Sequence, residues 1–315
     1  MTTLHTGDAN HTWPALPPLA EWQETLTALH MWAQIVGKIR LQRSPWINHS
    51  WGSALYVTTR GLTTSPVPDG ARTFAVDFDF VGHQLRVTTS DGADRSFELA
   101  PMSVADFYRK TMDALRQLDI GVEIFSRPVE VEEAIRFEDD TRHASYDAAA
   151  VHRFWGALVQ VARVFNEFRA RFIGKSSPVH FFWGAFDLAA TRFSGRSAPR
   201  HPGGAPNCAD WVMQEAYSHE VASSGFWPGT GGVGEAAFYA YAYPEPAGYR
   251  SRAIRPEAAY FHETLGEFVL PYEAVRAAEA PDQALLGFLQ STYEAAADLA
   301  RWDRAALESN RPGNS

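Results

Sequence analysis

Apolar residues along this chain recur at two spacings, and the switch between them lays out the elements. Leu26, Leu29, Trp32, Ala33, Val36 and Leu41 fall near the helical period and predict a helix over 20–42, with Pro17-Pro18 before it and Pro45 after it. The period then drops to two. "SALYVTT" (53–59), "RTFAVDFDF" (72–80), "QLRVTTS" (84–90) and "RSFELA" (95–100) alternate between turn-forming residues and predict an antiparallel meander. Residues 103–118 return to helical spacing, and Ser103 stands three residues before Asp106 as a loose capping box.

Residues 126–147 are charge-rich and lack a period, which predicts a linker. Beyond it the pattern predicts a helix over 148–172, a long apolar strand over 178–191 and a loop at 201–207. A strand at 212–221, a glycine-rich loop at 225–234, a strand at 236–243, a hairpin at 258–271 and a helix at 281–303 complete the chain. Both halves therefore run helix, strands, helix. Gly37-Lys38, Ser44-Pro45, His49, Trp51-Gly52 and Arg60 recur in order as Gly174-Lys175, Ser177-Pro178, His180, Trp183-Gly184 and Arg192. "WGSALYVTTR" (51–60) and "WGAFDLAATR" (183–192) align without a gap, although Lys to Trp spans 13 residues in one copy and 8 in the other.

The expected fold class is α+β: two tandem, pseudo-twofold-related halves from a duplication, each an antiparallel sheet flanked by long helices. The halves are read as 13–125 and 148–304, the second carrying the site, with disordered ends at 1–12 and 305–315. A cleft between the halves is a natural ligand site.

Composition narrows the function classes. At 315 residues, 45% hydrophobic and 21% charged, the chain has ordinary globular composition. A net charge of −9 without a Lys/Arg cluster argues against nucleic-acid binding. No apolar run is long enough for a membrane span, and the N-terminus has no signal-peptide pattern. A single cysteine, Cys208, excludes an intrachain disulfide and fits a cytoplasmic location. Ten tryptophans raise the aromatic content to 13%; such rings fill cores and also line pockets.

No established catalytic motif is present, so candidate chemistry rests on individual residues. Asp187 stands between Phe186 and Leu188 in an apolar run, where a carboxylate is costly unless paired or protonated. The aligned residue in the first half is Leu55, so the fold does not demand an acid there. The candidate catalytic residues are Asp187, His180, His219 and Glu220. His180, His219 and Glu215 are candidate ligands of a divalent metal, although "EAYSHEV" (215–221) is not H-E-x-x-H. Arg192 and Lys175 are candidates for holding an anion, with surface solvation as the alternative, and an ion pair of Asp187 with Arg192, Lys175 or Arg171 is the structural alternative to a functional Asp187. Trp183, Trp227, Tyr239, Tyr241 and Tyr243 are candidates for an aromatic wall; the three tyrosines share one strand face by alternation.

Other motifs carry less. "GFWPGTGGVG" (225–234) lacks the Lys-Ser/Thr of a phosphate loop and reads as a mobile loop or lid. Ser223 and Ser224 lack a nucleophile elbow, and Cys208 has no basic activator near it in sequence.

Through "LHMWAQIVGKIRL" (29–41), "ARFIGKSSPVHFFWGAFDLAATRFSGR" (170–196), "EAYSHEV" and "AFYAYAYPEP" (237–246), the chain resembles a bacterial family catalogued only as a domain of unknown function. The resemblance implies a bacterial cytosolic protein and brings no activity with it. The expectation is an enzyme acting on a small anionic or aromatic molecule in an aromatic-lined cleft. The alternatives are a non-catalytic binding or sensor protein and a structural partner protein.

Overall fold

The structure is a computed structural model that describes residues 12–229 and 232–309. The disorder expected at residues 1–11 and beyond 309, and Thr230-Gly231 of the expected glycine-rich loop, lie outside the described residues.

Helix α1 (Leu19–Arg43) is the central element of the first half. It buries residues on most of its circumference, including Trp22, Leu29, Trp32, Ile35, Val36 and Ile39. A helix apolar on most sides belongs inside the protein. Six strands follow: β1 (Tyr56–Val57), β2 (Gly61–Thr63), β3 (Val67–Asp69), β4 (Arg72–Asp79), β5 (Gln84–Thr89) and β6 (Asp94–Glu98). They form an antiparallel sheet in the order β1-β2-β4-β5-β6, with β3 also paired to β4. Helix α2 (Val104–Arg116) opens on Ser103, whose hydroxyl accepts from the Asp106 amide at 3.0 Å. Trp32 of α1 stacks on Phe107 of α2 at 4.6 Å.

The second half opens with α3 (Ala148–Ala170), capped by Asp147 on the Ala150 amide at 3.0 Å. It continues with β7 (His180–Phe182), β8 (Asp187–Ser197), α4 (Asp210–Ala216), β9 (His219–Trp227) and β10 (Ala237–Tyr243). The last elements are β11 (Tyr260–His262), β12 (Glu267–Pro271), α5 (Tyr272–Arg276), α6 (Pro281–Leu299) and α7 (Arg304–Leu307). The second sheet is also antiparallel and six-stranded, in the order β11-β12-β10-β9-β8-β7. The fold class is therefore α+β with two antiparallel sheets. Leu188, Phe226, Phe238 and Leu270 point from one face of the second sheet into the core, against α3 and α6. The opposite face carries Asp187 and the tyrosines.

One core runs through both halves: Trp22 of α1 meets Phe154 of α3 at 5.5 Å, and Phe154 stacks on Phe186 at 5.8 Å. The sheets meet edge to edge where Leu55 and Phe181 exchange backbone hydrogen bonds of 2.8 and 2.7 Å. The halves also exchange cation–aromatic contacts. Lys38 lies 5.9 Å from the Trp183 ring, and Lys175 lies 5.4 Å from the Trp51 ring. The aligned Thr-Arg pairs differ, however. Thr59-Arg60 forms a turn with Arg60 on Asp79, whereas Thr191-Arg192 lies inside β8 with Arg192 buried.

The structure corrects several element assignments. The run 178–191 is a hairpin rather than one strand, because Trp183–Phe186 form its turn with Phe186 at φ 59°. The segment 212–221 begins as helix α4 and becomes strand only at His219. Strand β9 continues through Trp227, inside the span read as loop. Of 53–59, only Tyr56-Val57 are strand. The C-terminal span includes helix α7, and Glu308 bridges to Phe172. Much of the linker is pinned across α1: Gln34 bonds both backbone groups of Val129, at 2.8 and 2.9 Å, and Phe137 is fully buried.

Candidate functional site

The α1 wall of the site is a polar stripe on an otherwise apolar helix. His30, Gln34 and Lys38 stand four residues apart, on one face. His30 Nε2 bonds the Gly184 carbonyl at 2.8 Å, and burial lowers its pKa to about 4. Gln34 fixes the linker through Val129. Lys38 reaches the β7–β8 turn, where the Trp183 indole lies directly on Gly37 and donates to the Ser53 carbonyl at 2.9 Å.

The next residue, Gly184, makes room for an acid. A Cβ at Gly184 would stand 2.0 Å from Glu130 Oε1, so the Glu130 carboxylate occupies the space a side chain would take. Glu130 sits in the linker at φ 57°, its amide donating to the Pro206 carbonyl at 2.7 Å. Asn207 ties the same two segments through the Val131 carbonyl at 2.7 Å. The Glu130 side chain retains solvent contact by area, yet protein crowds its carboxylate, as on the wall of a cleft. That crowding, and then the nearby Asp187 carboxylate, push its pKa upward.

Asp187 begins β8 and is 6% exposed. Its side chain accepts a short hydrogen bond from the Tyr239 hydroxyl, and among the described residues it forms no ion pair. Burial raises its pKa to about 6, with the Tyr239 bond acting in the opposite direction. Register explains how Tyr239 arrives. Tyr239 stands opposite Gly225, and Gly225 opposite Ala189, two residues along β8 from Asp187. A Cβ at Gly225 would meet the Tyr239 ring at 2.3 Å, so glycine opens the lane by which the ring crosses β9.

The tyrosine face continues from there. Tyr241 stacks on Tyr239 with centroids 6.0 Å apart, and its hydroxyl meets that of Tyr217 at 2.7 Å. Ser223 and Thr191, on the neighbouring strands, share a 2.8 Å hydrogen bond. Glu267 of β12 continues the register beyond Ala240–Phe268, opposite Tyr241. Its pKa is raised to about 7, by burial first and Asp187 second. Burial lifts the Tyr239 hydroxyl well above its usual range and that of Tyr241 to about 12. Three acids whose pKa values all move upward, without a cation paired to any of them, define the chemistry. Each can hold or release a proton near neutrality.

At the other end, burial raises the Cys208 thiol's pKa, Glu130 pushes it further up and Lys38 acts against both. Cys208 therefore has a basic neighbour that is distant in sequence. Lys38 is 5% exposed, and burial lowers its pKa to about 8.

The structure brings Asp187, Tyr239 and Tyr241 together and sets Trp227 beside them, packing on Tyr239 at 4.5 Å, whereas Trp183 lies on the α1 side, against Gly37 and Lys38. Tyr243 stands further along, where it and Tyr217 flank His201. The remaining candidates lie elsewhere. His180 is fully buried among Trp51, Tyr56 and Phe182, with both ring nitrogens unbonded and its pKa lowered to about 3 by burial. His219 lies beside His49, 6.1 Å between centroids, and Glu215 accepts from Trp46 at 2.7 Å. Glu220 pairs with Arg196 at 2.7 Å. Lys175 bonds His49 Nε2 at 2.7 Å, and the Ala216 carbonyl on Nδ1 fixes that tautomer. Arg192 sits 3.5 Å from the Phe168 ring centre and donates to the Phe168 carbonyl at 2.5 Å. Among the described residues no three His, Cys, Asp or Glu side chains gather as a metal site.

A half-open groove of about 380 Å3 runs beside Tyr243, Glu245 and Trp302. Its Arg196 and Glu220 are already paired with each other, so it lacks the unpaired groups of the Asp187 face.

Glu130, Glu267, His30 and the proximity of Lys38 to Cys208 escape a reading of the sequence. The His30-Gln34-Lys38 spacing was the available signal; Glu130 carries none, because its place depends on a glycine 54 residues away in the chain.

A fold with two antiparallel sheets, one continuous core and this acid–tyrosine face characterises the chain. It belongs to the family of unknown function DUF5996, whose model matches residues 13–309. Neither the curated proteins nor the solved structures give a match.

Proposed function

We propose that the region where α1, the linker and the tyrosine face of the second sheet meet forms a cleft that binds a small polar molecule and moves a proton on it. Asp187 is the central acid/base in this reading. The observation that carries it is a buried carboxylate that meets a tyrosine hydroxyl and no cation. A carboxylate kept only for structure is expected to be paired, because breaking or omitting a buried partner costs about 3–5 kcal/mol. Tyr239 orients Asp187, and Glu130 and Glu267 supply further groups that exchange protons near neutral pH. The tyrosines offer a flat wall against which a ring or planar group can lie.

A screen of small molecules by thermal shift, followed by Asp187→Asn in the hits, tests the reading. The expected result is ligand affinity reduced at least tenfold in the variant, with an unchanged far-ultraviolet spectrum. Turnover of a hit by the wild type and not the variant establishes proton transfer; binding without turnover makes the protein a receptor. Equal binding and turnover in both proteins would overturn the role of Asp187.

The reciprocal Lys38–Trp183 and Lys175–Trp51 contacts support a duplication as the origin of the two halves. In that reading the second copy acquired Asp187 where the first keeps Leu55.

A further inference from the structure

We propose that Lys38 captures carbonyl compounds as an imine, making aldehydes or ketones the substrate class of this cleft. The inference rests on the reading of the cleft as a small-molecule site, and it adds the group that would hold the substrate.

Of the chain's 28 Lys and Arg residues, three are lysines: Lys38, Lys110 and Lys175. Cationic positions in this protein are filled by arginine almost everywhere, so the amine at position 38 is a departure. Lys110 and Lys175 are exposed, whereas Lys38 is 5% exposed on the inner side of α1. Its Nζ is walled by rings, 5.3 Å from the centre of Phe125, 6.0 Å from Phe137 and 5.9 Å from Trp183. Among the described residues it has no hydrogen-bond or ion-pair partner. Lysine is almost never this buried unless paired. A structural cation at this depth would be met by one of the acids, yet those acids stand unpaired further along the cleft.

Desolvation of this kind holds an amine partly neutral and nucleophilic. With its pKa at about 8, roughly a quarter of Lys38 is the free amine at pH 7.5, against about one part in a thousand for an ordinary lysine. Phe125, 69% exposed, is the surface residue that packs over the amine, so a carbonyl compound would enter past it.

The step balances without an oxidant or reductant. The Nζ lone pair adds to the carbonyl carbon, and a proton passes from nitrogen to the carbonyl oxygen to give the carbinolamine. Protonation of its hydroxyl and loss of water leave the protonated imine. Water supplies that proton; Glu130, held protonated more readily than an ordinary glutamate, lies further along with Asp187. Asp187 then stands further along the same cleft as a base for a proton on the carbon beside the imine.

The test is reductive trapping in the full-length protein. Glyoxylate or propanal is added with sodium cyanoborohydride at pH 7.5, and peptide mass spectrometry follows each lysine over time. Lys38 is expected to be modified at least tenfold faster than Lys110 and Lys175, which serve as internal controls. Modification at the control rate, or slower, overturns the proposal. Lys38→Arg and Lys38→Met, checked for unchanged melting, should lose the fast phase; a fast phase that persists also overturns it. The Asp187→Asn protein separates the two readings. Fast trapping retained there, beside unaltered ligand turnover, supports imine formation while removing Asp187 as the acid/base. Slow trapping in a wild type whose turnover depends on Asp187 removes the lysine and leaves the acid.

Discussion

Tyr239 reaches Asp187 across a strand that separates them, and it does so over Gly225. The missing side chain on β9 is thus part of the site. Gly225→Ala places a methyl 2.3 Å from the Tyr239 ring, which cannot bend away as a flexible chain would. The expected cost is about 1–3 kcal/mol in urea unfolding. Tyr239→Phe keeps the ring and removes only the donor. In both variants the Asp187 titration, followed by carboxyl carbon NMR, should move upward from about 6, because the bond that favours the ionised form is lost. An unmoved titration in Tyr239→Phe refutes the pairing.

The contribution of Asp187 to stability should fall as pH rises through the acid range, opposite in sign to that of the ion-paired carboxylates such as Asp79 and Asp282. The folded-state pKa of Asp187 is about 6 against 3.8 when unfolded. Between those values the folded state binds more protons than the unfolded one, so stability declines with rising pH. The contribution is fully present below about 3.8 and lost above about 6. Glu267 acts in the same direction, from 4.5 to about 7. Unfolding free energies at pH 4.5 and 7.5 should show Asp187→Asn removing about 1–3 kcal/mol of this decline. Identical slopes in wild type and variant would contradict a buried, unpaired Asp187.

Long-period features were legible in the sequence and pairwise ones were not. The helix over 20–42 is observed as Leu19–Arg43, and that over 148–172 as Ala148–Ala170, because many residues vote for each. The alternation of Tyr239, Tyr241 and Tyr243 correctly placed them on one face, since register needs only period two. Asp187 stood out because a charge in an apolar run is conspicuous wherever it folds. Counting along 178–191 as one strand failed, because the turn at Trp183–Phe186 contains apolar residues and its left-handed position falls on Phe186 instead of a glycine. Glu130 was invisible for a related reason. Its contact depends on Gly184, and the linker around it has no period to read.

Arg192, expected to hold an anion, is predicted to act on stability instead. Its guanidinium caps the last turn of α3 through the Phe168 carbonyl and lies within 4.3 Å of the Tyr293 ring centre. Arg192→Ala should cost about 2–4 kcal/mol through a cavity and a lost cap. Arg192→Met, which keeps most of the volume and sheds a desolvated charge, should cost about half as much. Denaturant unfolding measures both. Ligand affinity in the folded variants should equal that of the wild type; a stable Arg192→Ala protein with lost binding would restore the anion role.

The two glycines that flank Trp183 should separate folding from function. At Gly37 an added Cβ would stand 2.1 Å from the Trp183 ring, inside a buried helix and against a side chain fixed by its bond to Ser53. Alanine improves helix propensity by about 1 kcal/mol, but overpacking of a fixed indole costs about 1–3 kcal/mol. Gly37→Ala is therefore expected to lower the melting temperature. At Gly184 the added Cβ meets Glu130 Oε1 at 2.0 Å, and that atom is the far end of a flexible side chain with solvent contact. Gly184 also lies outside the positive-φ residues, so alanine suits its backbone. Gly184→Ala should leave the melting temperature within about 2 °C of the wild type. It should weaken ligand binding, because Glu130 is driven off its seat beside Asp187. The discriminating measurement is thermal melting and ligand titration on both proteins. A Gly184→Ala variant with full affinity would show that the position of Glu130 is incidental.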